Sequence, residues 1–530
     1  MAGGVRDMAV VFAVAAMAFC HSGLLWGEFA YDDAGSITGN PIVLGKVPLW
    51  RVLTDDFWGE FPLKSPKSHK SWRPVVTLSY RLDLLLHGAD PFGYHLSSAL
   101  LHGSVSALVV PAVRLSCPNS GGAAALAAAL LFAVHPVHAE AVQNLTGRAE
   151  VLMAFFVLLG FIAFASTASG TNLRWDVVRS LLVACFTALA LLSKETGVTL
   201  PLLCILWDAL VHSTVTLPGL ARALLGRGQA AAPSANATRT TMRFAWRTAL
   251  LVVVQVGLAL SRLALNNGPA KLRFNQNRHA LQPLGFSKAA SVPWLWAEYL
   301  WTMVFPRALC LDWSCRAIPP VEDLADKRLP VLVAFLWLCS AAVCRSIQLA
   351  RLGDPRWAMA WIWLGVLFLL SSNVLIAVGT TKAERVMYLP VLGWCMMAAF
   401  VLCPTTAAPP APQAARAVEE PLPSDGDVPE EQVSRAAEVM APPKQHPPSP
   451  PAPRRSARRR RGVVHWLALL CTLAAYGVRL RARSLEWASN FKVWEAAYTT
   501  QTARGFVTPH VLSAYSKHLQ WRGGFPAAPA

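Results

Sequence analysis

Residues 8–26 read MAVVFAVAAMAFCHSGLLW, and residues 28–33, just beyond them, read EFAYDD. The first run carries no charge over a length that crosses the hydrocarbon core of a bilayer as a helix. The second sets an acidic pair, Asp32 and Asp33, close to the end of that helix. The run is long for a signal peptide, has a sparse basic n-region and lacks an A-x-A-type site, so it is expected to stay as an uncleaved span.

The same alternation of apolar run and polar turn continues along the chain. Of 530 residues, 54% are apolar and 15% charged, with 20 Trp. A soluble fold needs more polar surface than this. Because helices satisfy their own backbone in lipid, the fold expected is an all-α polytopic membrane protein. Candidate spans are 8–27, 93–113, 121–137, 150–168, 177–193, 196–212, 244–265, 290–305, 329–350, 357–378, 386–403 and 463–480.

The net charge of +18 would suit nucleic acid, but the charges sit in loops between apolar runs, where Lys and Arg set orientation. The strongest basic bias lies in 213–247 (Arg222, Arg227, Arg239, Arg243, Arg247) and around Arg454, Arg455 and Arg458 to Arg461, so both are expected to be cytosolic. Parity between these loops then requires an even number of spans. The weakest candidate, 290–305, has Pro293 and Glu298 among Trp294, Trp296 and Trp301, which suits a helix lying at the outer surface.

About eleven spans result, with a cytosolic N-terminus and a lumenal C-terminus. The chain divides into a multi-span membrane domain (1–403), a disordered cytosolic linker rich in Pro, Ala and basic residues (404–462), a last span (463–480) and a short lumenal tail (481–530). No internal repeat of 20–50 residues is found. Eleven Cys are scattered without a CxxC pair; Cys310 and Cys315 are disulfide candidates if their loop is lumenal.

This parity gathers the polar loops on one face: Glu28–Val76, His135–Glu150, Ser193–Glu195, Asn266–Leu329 and Thr380–Tyr388. In the first, Asp32 or Asp33 is either a solvated turn acid or, partly desolvated, a base for an incoming hydroxyl. His69, Lys70 and Arg73 in SHKSWRP suit an anionic phosphate or a snorkelling role at the interface. His135, His138 and Glu140 have metal-ligand types, but Pro136 breaks the helix and no HExxH-like spacing occurs. They are read as positioning groups, and no metal is assigned.

Lys194 with Glu195, and Lys382 with Glu384 and Arg385, place a cation beside an acid at a span's outer end. The cations suit a phosphate whose lipid tail stays in the membrane. Lys271, Arg273, Arg278 and His279 add positive charge where it is normally disfavoured, which points to an anionic ligand or headgroup. Asn144-Leu145-Thr146 is a glycosylation sequon expected to lie too near the membrane for use.

Taken in order, the acidic pair, SHKSWRP, HPVHAEAVQNLTGRAE, SKETGVTLP, LCLDWSCRAIPPVEDLADKR and TKAERVMYLPVLG resemble the transmembrane and tetratricopeptide-repeat-containing O-mannosyltransferases of the endoplasmic reticulum. The resemblance covers about 8–400 and 463–495. It implies a C-type glycosyltransferase (GT-C) fold that transfers mannose from dolichyl-phosphate mannose to Ser or Thr of cadherin-type domains, with no cofactor. It also implies Asp33, slightly preferred, or Asp32 as base, and Arg148, Lys194, Arg385 and Lys382 as donor-phosphate groups. The departure lies after Trp487, where Tyr498–Ala530 reads as an ending without repeats.

Two other classes stay open on the residues alone. One is a different polyprenyl-phosphate-sugar transferase; the other is a truncated, non-catalytic membrane scaffold. A transporter is disfavoured because charges are nearly absent from the spans.

Overall fold

The computed structural model describes residues 2–20, 24–167, 173–215, 235–268, 272–404 and 455–521. Among these no β-strand occurs, only an isolated bridge between Asp55 and Pro62. The helices are α1 (Ala2–Cys20), α2 (Pro74–His87), α3 (Pro91–Ser116), α4 (Gly121–Ala133), α5 (His138–Gln143), α6 (Arg148–Ser166), α7 (Leu173–Ser193) and α8 (Leu200–Trp207). They continue as α9 (Ala235–Asn266), α10 (Arg278–Leu281), α11 (Phe286–Val304), α12 (Leu329–Arg351), α13 (Arg356–Phe368), α14 (Val391–Leu402), α15 (Arg455–Glu486), α16 (Asn490–Ala503) and α17 (Pro509–Trp521).

Among the described residues, eight helices are long and apolar enough to cross a membrane, from Gly3–Cys20 to Val463–Glu486. Shorter apolar helices cover Pro118–Ala133, Arg356–Ser372 and Val391–Leu402. The core forms where α3 packs against α1, α4 and α6, with α4 also against α14. The reason lies in α4, GGAAALAAALLFA, whose small side chains let neighbouring backbones approach closely. Gly393 of α14 serves the same end, because a Cβ there would strike the Ala360 carbonyl of α13.

Several expectations shift. Helix α2 was not anticipated: its Leu82, Leu85 and Leu86 stay exposed, so it carries no long apolar run, and Pro74 simply starts it. Residues 405–454 of the expected linker lie outside the described residues, but α15 already begins at Arg455, so the basic run opens the helix that holds the 463–480 span. Within the tail, α16 and α17 pack together as a helical hairpin. Cys310 and Cys315 are both free thiols.

The apolar helices α7, α8 and α9 carry charge at their ends. Asp176 of α7 accepts from Arg243 of α9 (2.7 Å), and Asp208, just past α8, accepts from Arg247 Nε (2.7 Å). Arg247 also donates to Ser213 (2.9 Å). Both carboxylates are buried. Asp176 and Ser193 sit at opposite ends of α7, about 26 Å apart at 1.5 Å per residue, so this cluster and the Lys194 turn occupy opposite ends of the bundle. Arg247→Ala should lower stability by about 3–5 kcal/mol, because it leaves buried Asp208 unpaired. Thermal unfolding of the solubilised chain checks this; an unchanged midpoint refutes it.

Candidate active site

The site is built from short polar turns. Residues 30–33 close on themselves twice: the Asp33 N–H donates to the Ala30 carbonyl (3.1 Å), and the Ala30 N–H donates to Asp33 Oδ2 (3.1 Å). Asp33 Oδ1 accepts from the backbone N–H (2.8 Å) and hydroxyl (2.9 Å) of Thr146. Asp33 is fully buried. Burial pushes its pKa up to about 7, against the donors from Thr146 and Ala30. Both of its oxygens are engaged, tying the first loop to the turn before α6.

Asp32, one residue earlier, is different. Its side chain is 28% exposed, and its carboxylate lies 4.0 Å from Arg385 Nη1. Burial raises its pKa above the usual carboxylate range, opposed by Arg385, Arg73 and His69. Arg385 is fixed by Glu140, which accepts from its backbone N–H (2.9 Å) and Nη1 (2.7 Å) and is itself fully buried. Burial works against the charge on Arg385, but Glu140 and Asp32 hold its pKa above the ordinary value.

Two more cations face this group. Lys194 pairs with Glu150 of α6; burial lowers its pKa, Glu150 opposes that, and Arg73 and Arg385 are near enough to add to it. Arg73, at the start of α2, lies over the Phe57 ring (4.9 Å) and 3.7 Å from Glu195. Glu195 is shared with Arg262 of α9 (3.2 Å), which sits over Trp72 (5.4 Å). Lys70 anchors the same loop by donating to the carbonyls of Leu63 (2.7 Å) and Asn266 (2.8 Å). The His69 ring contacts Ser71 (3.0 Å), and partial burial lowers its pKa.

The structure therefore brings together Asp32, His69, Arg73, Glu140, Lys194 and Arg385 from turns that lie far apart in sequence. It does not bring the remaining candidates to that cluster. Arg148 is buried and committed: Nη1 donates to Asp83 (2.5 Å), Nη2 to the Tyr94 carbonyl (2.8 Å) and Nε to Ser98 (3.1 Å). Lys382 is buried, donates to Thr302 (2.8 Å) and Glu298 (3.3 Å), and lies over the Trp313 ring (4.7 Å).

His135 and His138 use Nε2 on the carbonyls of Met303 (2.9 Å) and Tyr388 (3.1 Å). Burial pushes the His138 pKa well below its ordinary value. Both are buried packing groups, joined by His102, whose Nδ1 meets the Tyr388 hydroxyl (2.7 Å). No group of three or more His, Cys, Asp or Glu able to hold a metal ion occurs among the described residues.

Of the basic loop after α9, Lys271 lies outside the described residues. Arg273 is exposed, Arg278 is half-buried and bonds Asn275 (2.8 Å), and His279 is buried. Asn144 of the sequon is fully buried, and neither its amide oxygen nor its nitrogen has a partner among the described residues; nor does Gln143 Oε1. The roles of Thr146, Glu150 and Arg262 were not expected from the sequence. Only the recurrence of a lone polar or charged group beside an apolar run marks them, and that does not reveal who pairs with whom.

Fold and site together define a polytopic helical membrane protein with a cation-rich carboxylate site assembled from the turns at one end of its bundle. The family model described as "Protein O-mannosyl-transferase TMTC, DUF1736" matches residues 268–340. Protein O-mannosyl-transferase TMTC3 of Mus musculus is 32% identical over 397 residues, which is 74% of this chain and 42% of that protein. Protein O-mannosyl-transferase TMTC4 of Mus musculus is 32% identical over 394 residues, covering 71% and 52%. TMTC1 of the same species is 29% identical over 470 residues, covering 73% and 48%. The chain is similar to these TMTC proteins over the matched region, and it spans about half the length of these curated relatives. No solved structure matches it.

Proposed function

We propose that the chain carries the catalytic membrane region of a protein O-mannosyl-transferase of GT-C type, with about eleven spans. It takes mannose from dolichyl-phosphate mannose and transfers it to Ser or Thr hydroxyls of cadherin-type proteins in the lumen of the endoplasmic reticulum. In this reading the N-terminus is cytosolic and α16 and α17 are lumenal. The observation that carries the reading is the partly exposed Asp32 carboxylate beside Arg385, with the Lys194 and Arg73 cations near.

Asp32 takes the proton of the acceptor hydroxyl as that oxygen attacks the anomeric carbon. The bond from that carbon to the phosphate oxygen breaks on the opposite face, and the electron pair leaves with the lipid phosphate. Arg385, Lys194 and Arg73 stabilise the departing negative charge. Phosphate leaves without a general acid, so one carboxylate suffices, unlike the pair of an inverting glycosidase. Holding both substrates at the membrane surface supplies much of the acceleration. The unpartnered amide atoms of Gln143 and Asn144, on the segment between Glu140 and Thr146, suit sugar hydroxyls. In this reading Asp32 is preferred to Asp33 as the base, because Asp33 is fully buried and both of its oxygens already accept hydrogen bonds.

The test uses microsomes carrying this chain, labelled dolichyl-phosphate mannose and a cadherin-domain acceptor. Label on acceptor Ser or Thr is the expected result. Label only from another polyprenyl-phosphate sugar selects the rival transferase, and no transfer from any donor leaves a scaffold.

A further inference from the structure

Tyr31, the residue before Asp32, has a φ of 55°. That is the left-handed region, which a side chain with a Cβ enters only when its surroundings hold it there. The holder is remote in sequence. The Tyr31 N–H donates to Asn490 Oδ1 (2.8 Å), and Asn490 Nδ2 donates to the Phe29 carbonyl (3.4 Å). One side-chain amide thus grips the backbone on both sides of Ala30. The Glu28 N–H adds a bond to the Ala488 carbonyl (3.1 Å), and the Tyr31 ring meets Trp494 edge-on at 5.6 Å.

From the inner side, the same turn is locked by Asp33 through Ala30 and Thr146. Between these two grips lies Asp32, whose backbone carbonyl accepts from Gly35 (3.2 Å) and Ser36 (3.1 Å). Its carboxylate is left facing Arg385. We infer that Asn490 is a positioning residue for Asp32, holding Tyr31 in its left-handed conformation so that the Asp32 carboxylate points at Arg385 and the incoming hydroxyl. The C-terminal hairpin is then part of the site.

Other bonds seat that hairpin. His510 of α17 meets Asp312 (2.8 Å), and Arg504 meets Glu298 (2.7 Å) and lies over Trp313 (5.0 Å). These hold the hairpin against the 298–313 region, whereas Asn490 reaches the backbone next to Asp32. The inference rests on Asp32 being the base, so its test includes measurements that do not need turnover.

The full chain in lipid nanodiscs is compared as wild type, Asn490→Ala, and Asn490→Ala with Tyr31→Gly. In Asn490→Ala, the peptide around 28–34 should exchange amide hydrogen about tenfold faster, and kcat should fall about tenfold with donor KM within twofold. Adding Tyr31→Gly, which takes the left-handed conformation freely, should recover at least half of the lost kcat. Unchanged exchange, or faster exchange with unchanged kcat, overturns the inference. So does a fall in kcat that Tyr31→Gly does not recover, because that is loss of hairpin docking alone. If the wild-type chain transfers no sugar, the function proposed above fails. Exchange at Tyr31 and carbodiimide labelling of Asp32, compared between wild type and Asn490→Ala, then decide whether Asn490 sets the presentation of that carboxylate.

Discussion

Asp32→Asn should lower transfer by about 10²–10⁴-fold, the usual contribution of a general base, while the protein folds and binds donor normally. The amide keeps the size of the side chain but takes no proton. Since the Asp32 carboxylate is partly exposed and meets Arg385 only at 4.0 Å, its loss leaves no buried donor stranded. Asp33→Asn should behave in the opposite way. Its oxygens accept from Ala30 and from both donors of Thr146, and an NH₂ in place of either oxygen leaves a buried N–H unsatisfied. That costs about 1–3 kcal/mol, read as a lower unfolding midpoint, with activity falling through the fold. Equal activity of Asp32→Asn and wild type would remove this carboxylate from the mechanism.

The pH dependence follows from the same geometry. A base works ionised, and burial raises the Asp32 pKa above the ordinary carboxylate range despite Arg385. Transfer should therefore climb with pH through a window above that range and then level off. Removing the opposing cation should move the climb to higher pH. A rate that falls with rising pH in this window contradicts the assignment.

Arg385→Ala carries the second large effect. Glu140 is fully buried and accepts from both the backbone and the guanidinium of Arg385. Removing the side chain leaves that carboxylate with the backbone N–H alone, at a cost of about 3–5 kcal/mol for a broken buried pair. On the proposed mechanism the departing phosphate also loses a charged donor, worth about 10²–10³-fold in rate. Arg385→Lys should restore part of the rate, because an ammonium supplies the charge but not the directed guanidinium donor that meets Glu140 at 2.7 Å. A double-mutant cycle with Glu140→Gln separates the two contributions: a stability coupling with Glu140 is expected, and strict additivity in stability would rule the pair out.

Much of this is legible in the residues alone. Charge-free runs of bilayer length leave few alternatives to helices, and each candidate span falls on a helix, although ends such as that of α4 at Ala133 differ. Helix α2 escaped because a short amphipathic segment, with Leu82, Leu85 and Leu86 left outside, lacks the long apolar run that marks a span. The polar turns were legible as a group, since a charge beside a span is costly unless it faces water or a partner. Roles within the group were not. Arg148 and Lys382 have the same sequence context as Lys194 and Arg385, yet the first two pair with Asp83 and with Glu298 and Thr302, whereas Lys194 and Arg385 pair with Glu150 and Glu140 in the group around Asp32.

By itself the sequence determined that this is a multi-span helical protein with its charged turns at helix ends, because the cost of burying charge and unpaired backbone in lipid acts locally along the chain. Which charges are free and which are spent was decided only by the tertiary structure. Asp33 is locked by Thr146, Glu140 reaches Arg385, and Asn490 holds the backbone at Tyr31. Each is a pairing between distant segments, set by how helices pack, and residue types near one another in sequence carry no record of it.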